Sequence, residues 1–251
     1  MLIHDFYERK RISANNMLCL LNFLKDETYS DFHIIKRKLG FTKKSRNPVY
    51  KLLNKALKEG FIIKYEIPSS KRKLTVWGIT MQGLAMVVKA DDITFPSYFE
   101  PSKLKYWTLE HRLLNQRVRI SLESKGATEW INGDSAAFIA RYSGCSHRPD
   151  GVIKQPTGAI MAIETERTMK TRARYISIIN SHLTARDKGN WHYALYVMPD
   201  TKSKESLIRL FDSIKTVMRN NTPVPFDEKN REMFIFRTID ELEQAAASGG
   251  Q

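Results

Sequence analysis

The residues best suited to chemistry lie in two short runs near the middle of the chain. The first is His147-Arg148-Pro149-Asp150-Gly151-Val152-Ile153. After the turn formers Gln155-Pro156-Thr157-Gly158 comes the second, Ala159-Ile160-Met161-Ala162-Ile163-Glu164-Thr165-Glu166. Together they read as an antiparallel hairpin. Side chains alternate along a strand, so Glu164 and Glu166 face the same side. Asp150 joins them if the hairpin pairs position 150 with 164, which needs a loop of odd length; the sequence leaves that register open. Carboxylates at i and i+2 are commonplace on solvated strands, and here it is the apolar run 159–163 that argues for burial. Like charges this close raise a pKa or bind a cation. Hard oxygen ligands favour Mg2+ or Mn2+, and a surplus of positive charge nearby favours a phosphodiester as the group acted upon.

Elements on both sides must hold this face. Upstream, 104–124 reads as a long amphipathic helix that carries Glu110 and His111, and strand-like stretches follow at 127–131 and 136–142. Downstream, Arg167-Thr168-Met169-Lys170-Thr171-Arg172-Ala173-Arg174-Tyr175 reads as a basic helix. Lys170, Arg172 and Arg174 on it could hold a DNA strand entering the site. Tyr175 is the first choice should a tyrosine nucleophile exist. Trp191-His192-Tyr193-Ala194-Leu195-Tyr196-Val197 reads as a further strand and 203–219 as a helix. Trp107, Trp130 and Trp191 are expected in the core.

The first third of the chain has a different character. Helices are expected at 15–24, 30–38 and 47–59; Pro48 suits the first turn of the third and Gly60 its end. Strands follow at 61–67 and 74–79, joined by Pro68-Ser69-Ser70-Lys71-Arg72-Lys73, and Thr80-Met81-Gln82-Gly83-Leu84-Ala85 reads as a short helix. Lys43, Lys44, Arg46, Asn47, Lys51, Lys55 and Lys58 lie on or just before the third helix, and Lys71, Arg72 and Lys73 crown the hairpin. A helix fits the major groove, where cations and amides meet phosphates and base edges.

Composition agrees with a polyanionic partner. The 251 residues hold 41 Lys and Arg against 27 Asp and Glu, a formal charge of +14. Residues 1–95 alone hold 18 against 9, so most of the excess lies in the first third. Nucleic acid is the leading partner and a membrane surface the second. A hydrophobic content of 42% is enough for folded cores. Cys19 and Cys145 form neither a disulfide framework nor a zinc site. The opening MLIHDFYERKR lacks an apolar stretch of signal-peptide length, and no run spans a membrane. The expectation is a cytoplasmic protein without membrane insertion. A seam at 91–97 divides the chain into domains 1–95 and 96–251.

The order helix, helix, helix, hairpin with a cationic tip resembles the winged helix-turn-helix of DNA-binding proteins. Asp150, thirteen intervening residues and Glu164-Thr165-Glu166 resemble the PD-(D/E)XK core of restriction endonucleases. That resemblance implies an αβββαβ domain in which Asp150, Glu164 and Glu166 bind Mg2+ or Mn2+. It also implies that Glu110 assists from the preceding helix, beside His111. Glu166 stands where that family carries lysine, and Lys170 could supply the missing cation.

Glu110-His111, Arg148-Pro149-Asp150 and Glu164-Thr165-Glu166-Arg167 behind a winged helix are similar to the MobC-type plasmid relaxases and the wider replication-relaxation family. This implies an α+β protein that recognises a plasmid transfer origin and nicks one DNA strand, with double-stranded and nicked DNA, accessory relaxosome proteins and a coupling protein as partners. Most relaxases use a His-hydrophobe-His metal site and a tyrosine; no His-x-His occurs among these six histidines. The alternative is a non-catalytic relaxosome accessory protein, or a DNA-binding regulator of transcription or replication.

Overall fold

Apolar periodicity and caps account for most elements of the amino-terminal part. The computed structural model describes residues 5–41, 46–67, 74–90, 92, 95–219 and 222–247. Helix α1 (Phe6–Glu27) starts at Asp5, whose side chain accepts from the Tyr7 N–H, and buries Met17, Leu20, Leu21, Phe23 and Leu24. It is longer than the expected 15–24, because the apolar stripe ends at Met17 while the helix continues outward. A three-residue strand, β1 (Tyr29–Asp31), separates it from α2 (Phe32–Lys38). Helix α3 (Asn47–Lys58) buries Val49, Leu52, Leu53 and Ala56, with proline in its first turn. Strands β2 (Ile62–Ile67) and β3 (Leu74–Ile79) pair antiparallel, and β1 adds to the other edge of β3. The short α4 (Met81–Ala85) begins where the Thr80 hydroxyl accepts from the Gly83 N–H. Lys43, Lys44, Lys71, Arg72 and Lys73 lie outside the described residues.

Helix α5 (Tyr106–Glu123) follows, then β4 (Thr128–Asn132), α6 (Ala136–Arg141), β5 (Gly151–Lys154) and β6 (Ile160–Thr165). Next come α7 (Arg172–Asp187), β7 (Tyr193–Met198), α8 (Thr201–Ser213) and the pair β8 (Thr216–Arg219) and β9 (Thr222–Pro225). The last elements are α9 (Glu228–Arg231), β10 (Phe234–Thr238) and α10 (Ile239–Ala247). Five strands form one mixed sheet in the order β10-β7-β6-β5-β4: β4, β5 and β6 run antiparallel, while β6, β7 and β10 run parallel. The protein is therefore of the mixed α+β kind. Its chain forms two compact units, 1–116 and 117–251, and the stretch 91–97 lies within the first.

Four expectations are corrected. Residues 136–142 form a helix rather than a strand: the Ser135 hydroxyl caps it by accepting from the Phe138 N–H, and a run of alanines and one phenylalanine follows either course. The helix expected at 203–219 ends at Ser213, and 216–219 is strand β8. The basic helix expected from Arg167 begins at Arg172, because the Thr171 side chain caps it by accepting from the Arg174 N–H. Trp107 is 75% exposed rather than buried, since Leu109 and Leu113 carry the inward stripe of α5. No helix among the described residues is long and apolar enough to cross a membrane.

Candidate functional site

The β5–β6 hairpin settles the register that the sequence leaves open. Gly151 pairs with Ile163 and Lys154 with Ile160, which sets Asp150 one step beyond the ladder and opposite Glu164. The backbone pins Asp150 there. Its N–H donates to the Ile163 carbonyl at 2.9 Å, and its own carbonyl accepts from the Gly133 N–H at 3.1 Å. Gly133 is required for that approach, since a Cβ at this position would lie 1.7 Å from the Pro149 carbonyl oxygen. The Asp150 carboxylate is then oriented by Thr165, whose N–H and hydroxyl both donate to Oδ2 at 2.7 Å.

Glu164 and Glu166 are both buried, at 4% exposure, so each must be compensated inside the protein. Their environments differ. Glu164 Oε1 receives His147 Nε2 at 2.8 Å and His182 Nε2 at 3.1 Å. Burial alone would raise this carboxyl. Hydrogen bonds from the two histidines, with the charge of a histidine when protonated adding to them, outweigh burial and bring it down to about 2. Glu166 has one cation, Lys170, whose Nζ contacts Oε1. Burial pushes this carboxyl up; Lys170 opposes the rise, and the neighbouring negative charges of Glu164 and Asp150 add to it. Glu166 thus feels the charges of Glu164 and Asp150.

Helix α7 supplies the groups behind Glu164. His182 is fully buried, and its Nδ1 accepts from the Trp191 indole N–H at 3.2 Å. An indole nitrogen only donates, so His182 carries its proton on Nε2 and donates it to Glu164. On β7, Tyr196 is paired with Glu164 and shares its sheet face. The Tyr196 hydroxyl is fully buried without a hydrogen-bond partner among the described residues. Its pKa is raised well above the ordinary value by burial and by the Glu164 and Glu166 charges.

Comparison with family models, with curated proteins and with solved structures finds no match to this chain.

Among the described residues one group of three could hold a metal. His147, Glu164 and His182 place three potential ligand atoms within 4.8 Å of one another. The Trp191 bond argues against His182 as a ligand: freeing Nε2 for a cation moves its proton to Nδ1, against an N–H that can only donate. Asp150, Glu164 and Glu166 do not form such a group among the described residues. Carboxylate oxygens as a class suit a hard divalent cation, and the Tyr196 hydroxyl is the kind of buried polar atom that a further group in the site would satisfy.

The other candidate residues fall as follows. Glu110 and His111 lie on the part of α5 that belongs to the first unit, and the carboxylates belong to the second. Lys170 lies in the segment before α7, not on it. Arg172 donates to the Ser213 carbonyl at 3.2 Å and Arg174 is exposed. Tyr175 is fully buried, its hydroxyl accepts from the Lys170 N–H, and burial and Glu166 push it up to about 12. It is therefore held protonated in the core and is ill placed for attack. Arg46, Asn47, Lys51, Lys55 and Lys58 are all exposed on or beside α3. The sequence pattern assigns no site role to His147, although it heads the first run, nor to His182, Trp191 or Tyr196. The available signal was the position of His147 at the head of the first run; His182, beside Asn180 and Ser181, has no such signal in the sequence.

Proposed function

We propose that the chain is a divalent-metal-dependent DNA nickase of the plasmid-mobilisation relaxase kind, with a winged-helix unit for origin recognition and a restriction-endonuclease-like unit for cleavage. The observation that carries this reading is the hairpin register, which sets Asp150 opposite Glu164 with Glu166 two residues on. The order α5, β4, β5, β6, α7 and β7, with the short α6 inserted between β4 and β5, supports it, since an antiparallel meander followed by a parallel strand is the αβββαβ plan. So does the amino-terminal order of three helices and a hairpin, with an exposed cationic face on α3.

In this reading Asp150 and Glu164 hold Mg2+ or Mn2+, and Thr165, His147 and His182 orient them. The metal supplies charge stabilisation on the phosphate and a more acidic water. Glu166, raised by burial, is positioned to accept a proton from the attacking water, and Lys170 to balance that charge. Arg174, exposed in the first turn of α7, would contact the phosphates of the scissile strand.

A second reading, a DNA-binding accessory or regulatory protein without cleavage, is favoured by the extent to which the protein satisfies its own carboxylates. Glu164 Oε1 already has two histidine partners and Glu166 an ion pair. Nicking of supercoiled plasmid carrying the transfer origin separates the two. Open circles that form with Mn2+ or Mg2+, vanish with chelator and vanish in Asp150→Ala and Glu164→Gln support cleavage. Origin binding with no cleavage in any metal supports the accessory reading.

A further inference from the structure

The inward stripe of α1 does not end where the core ends. Met17, Leu20, Leu21 and Leu24 bury it at the carboxyl-terminal half. Traced back towards the start of the helix, the positions Phe6, Arg9, Lys10, Ser13 and Ala14 recur at i, i+3, i+4, i+7 and i+8. With Lys55 of α3, these residues line an open cavity of about 610 Å3 within the first unit, inside the range of about 300–1,000 Å3 of small-ligand clefts. The same helical stripe thus changes from apolar to aromatic, cationic and small as it leaves the core.

Each residue type has a consequence. Ser13 and Ala14 are short, which leaves room between the two helices. Arg9 and Lys10 stand on one wall and Lys55 on the other. Among the described residues Lys55 has a loose contact with Glu59, at 3.8 Å and half exposed, worth little against a polyanion. Phe6 is 64% exposed and Tyr7 beside it 79%, with their rings edge to face at 5.7 Å. The Asp5 cap on the Tyr7 N–H holds this first turn in helical form. A duplex backbone meets cations alone, because its bases are stacked away inside the helix. Cations on both walls around an open aromatic ring match a strand whose bases are unstacked, with phosphates on the cations and a base on the ring.

We propose that this groove binds single-stranded nucleic acid, with Phe6 as the stacking platform and Arg9, Lys10 and Lys55 as the phosphate contacts. This goes beyond the duplex-reading role of α3 and does not depend on cleavage, so its test uses neither metal nor origin.

The test is fluorescence anisotropy with labelled (dT)8 and, in parallel, a random-sequence 16-base-pair duplex, on the full chain. Phe6→Ala is expected to weaken (dT)8 binding roughly 5- to 150-fold, the range for losing one base–aromatic stack, and to leave duplex binding within twofold. Arg9→Ala with Lys10→Ala is expected to lower the salt slope for (dT)8 by about 1.4. Because Phe6 is exposed, the variant should fold, and an unchanged circular dichroism melt checks this. Photocrosslinking of iododeoxyuridine-substituted (dT)8 should label the peptide containing Phe6 and Tyr7. Unchanged (dT)8 affinity in Phe6→Ala, no (dT)8 binding by the unaltered chain, or an equal loss for duplex would each overturn the proposal.

Discussion

The charged faces of the two units are built on opposite terms. On α3 the residues Arg46, Asn47, Lys51, Lys55 and Lys58 stand in solvent, and their number matters more than the placing of any one. On the β5–β6 face Glu164 and Glu166 are buried and Asp150 is half-buried, and each has named partners: Glu164 has two histidines, Glu166 has Lys170, and Asp150 has Thr165. A solvated cation gives up little when it is deleted, because water already screens it. A buried carboxylate that loses a partner stays behind uncompensated. The first arrangement suits a polymer bound by many equivalent contacts. The second suits chemistry at one point.

The largest effect should follow from breaking the buried network. His182→Ala removes a donor to Glu164, strands the Trp191 N–H and opens a cavity in the sheet's core. A loss of roughly 3–5 kcal/mol is expected in urea unfolding. A smaller loss would mean that His147 alone compensates Glu164.

Acid dependence sharpens the contrast between neighbours. Glu164 is lowered from 4.5 to about 2 on folding. Its stabilisation is therefore complete above about pH 4.5 and is lost as pH falls towards 2, worth on the order of 3 kcal/mol. Glu166 is shifted the other way, so its contribution is complete below about pH 4.5 and fades as pH rises through its folded value. Unfolding titrations of Glu164→Gln should show less acid destabilisation than the unaltered chain, and those of Glu166→Gln less loss at neutral pH. Identical profiles would contradict the opposed shifts.

Gly133→Ala tests the positioning of Asp150. A methyl group against the Pro149 carbonyl must displace the turn after β4 or the segment before β5, with an expected cost of about 1–3 kcal/mol. The smallest effects belong to the other unit. Replacing Lys51 or Lys58 by alanine should leave stability within about 0.5 kcal/mol and lower the salt slope of duplex binding by about 1. A stability change as large as that of His182→Ala would erase the distinction between the two faces.

The same difference explains what the sequence made legible. Helix α3 could be placed to within a residue because Val49, Leu52, Leu53 and Ala56 repeat locally and Pro48 marks the start. Strand β3 and the carboxylate hairpin are likewise local patterns. Strand β10 was not foreseen, because its partner β7 is remote in sequence and parallel pairing leaves no local signature. Residues 136–142 were misread because the deciding feature is one hydroxyl cap at Ser135. For the site, the acidic residues were visible as a motif. Their compensation was not, because His147, His182 and Trp191 come from a loop, a helix and a strand approach that only the folded sheet brings to Glu164.

Direct titration of Mn2+ into the metal-free protein, followed by calorimetry or by loss of the free-ion paramagnetic resonance signal, bears most directly on the carboxylate face as the functional centre. The account predicts saturable binding that weakens at least tenfold in Asp150→Asn and in Glu164→Gln and persists in Lys51→Ala. Binding that survives both carboxylate substitutions, or no binding at all, would contradict it.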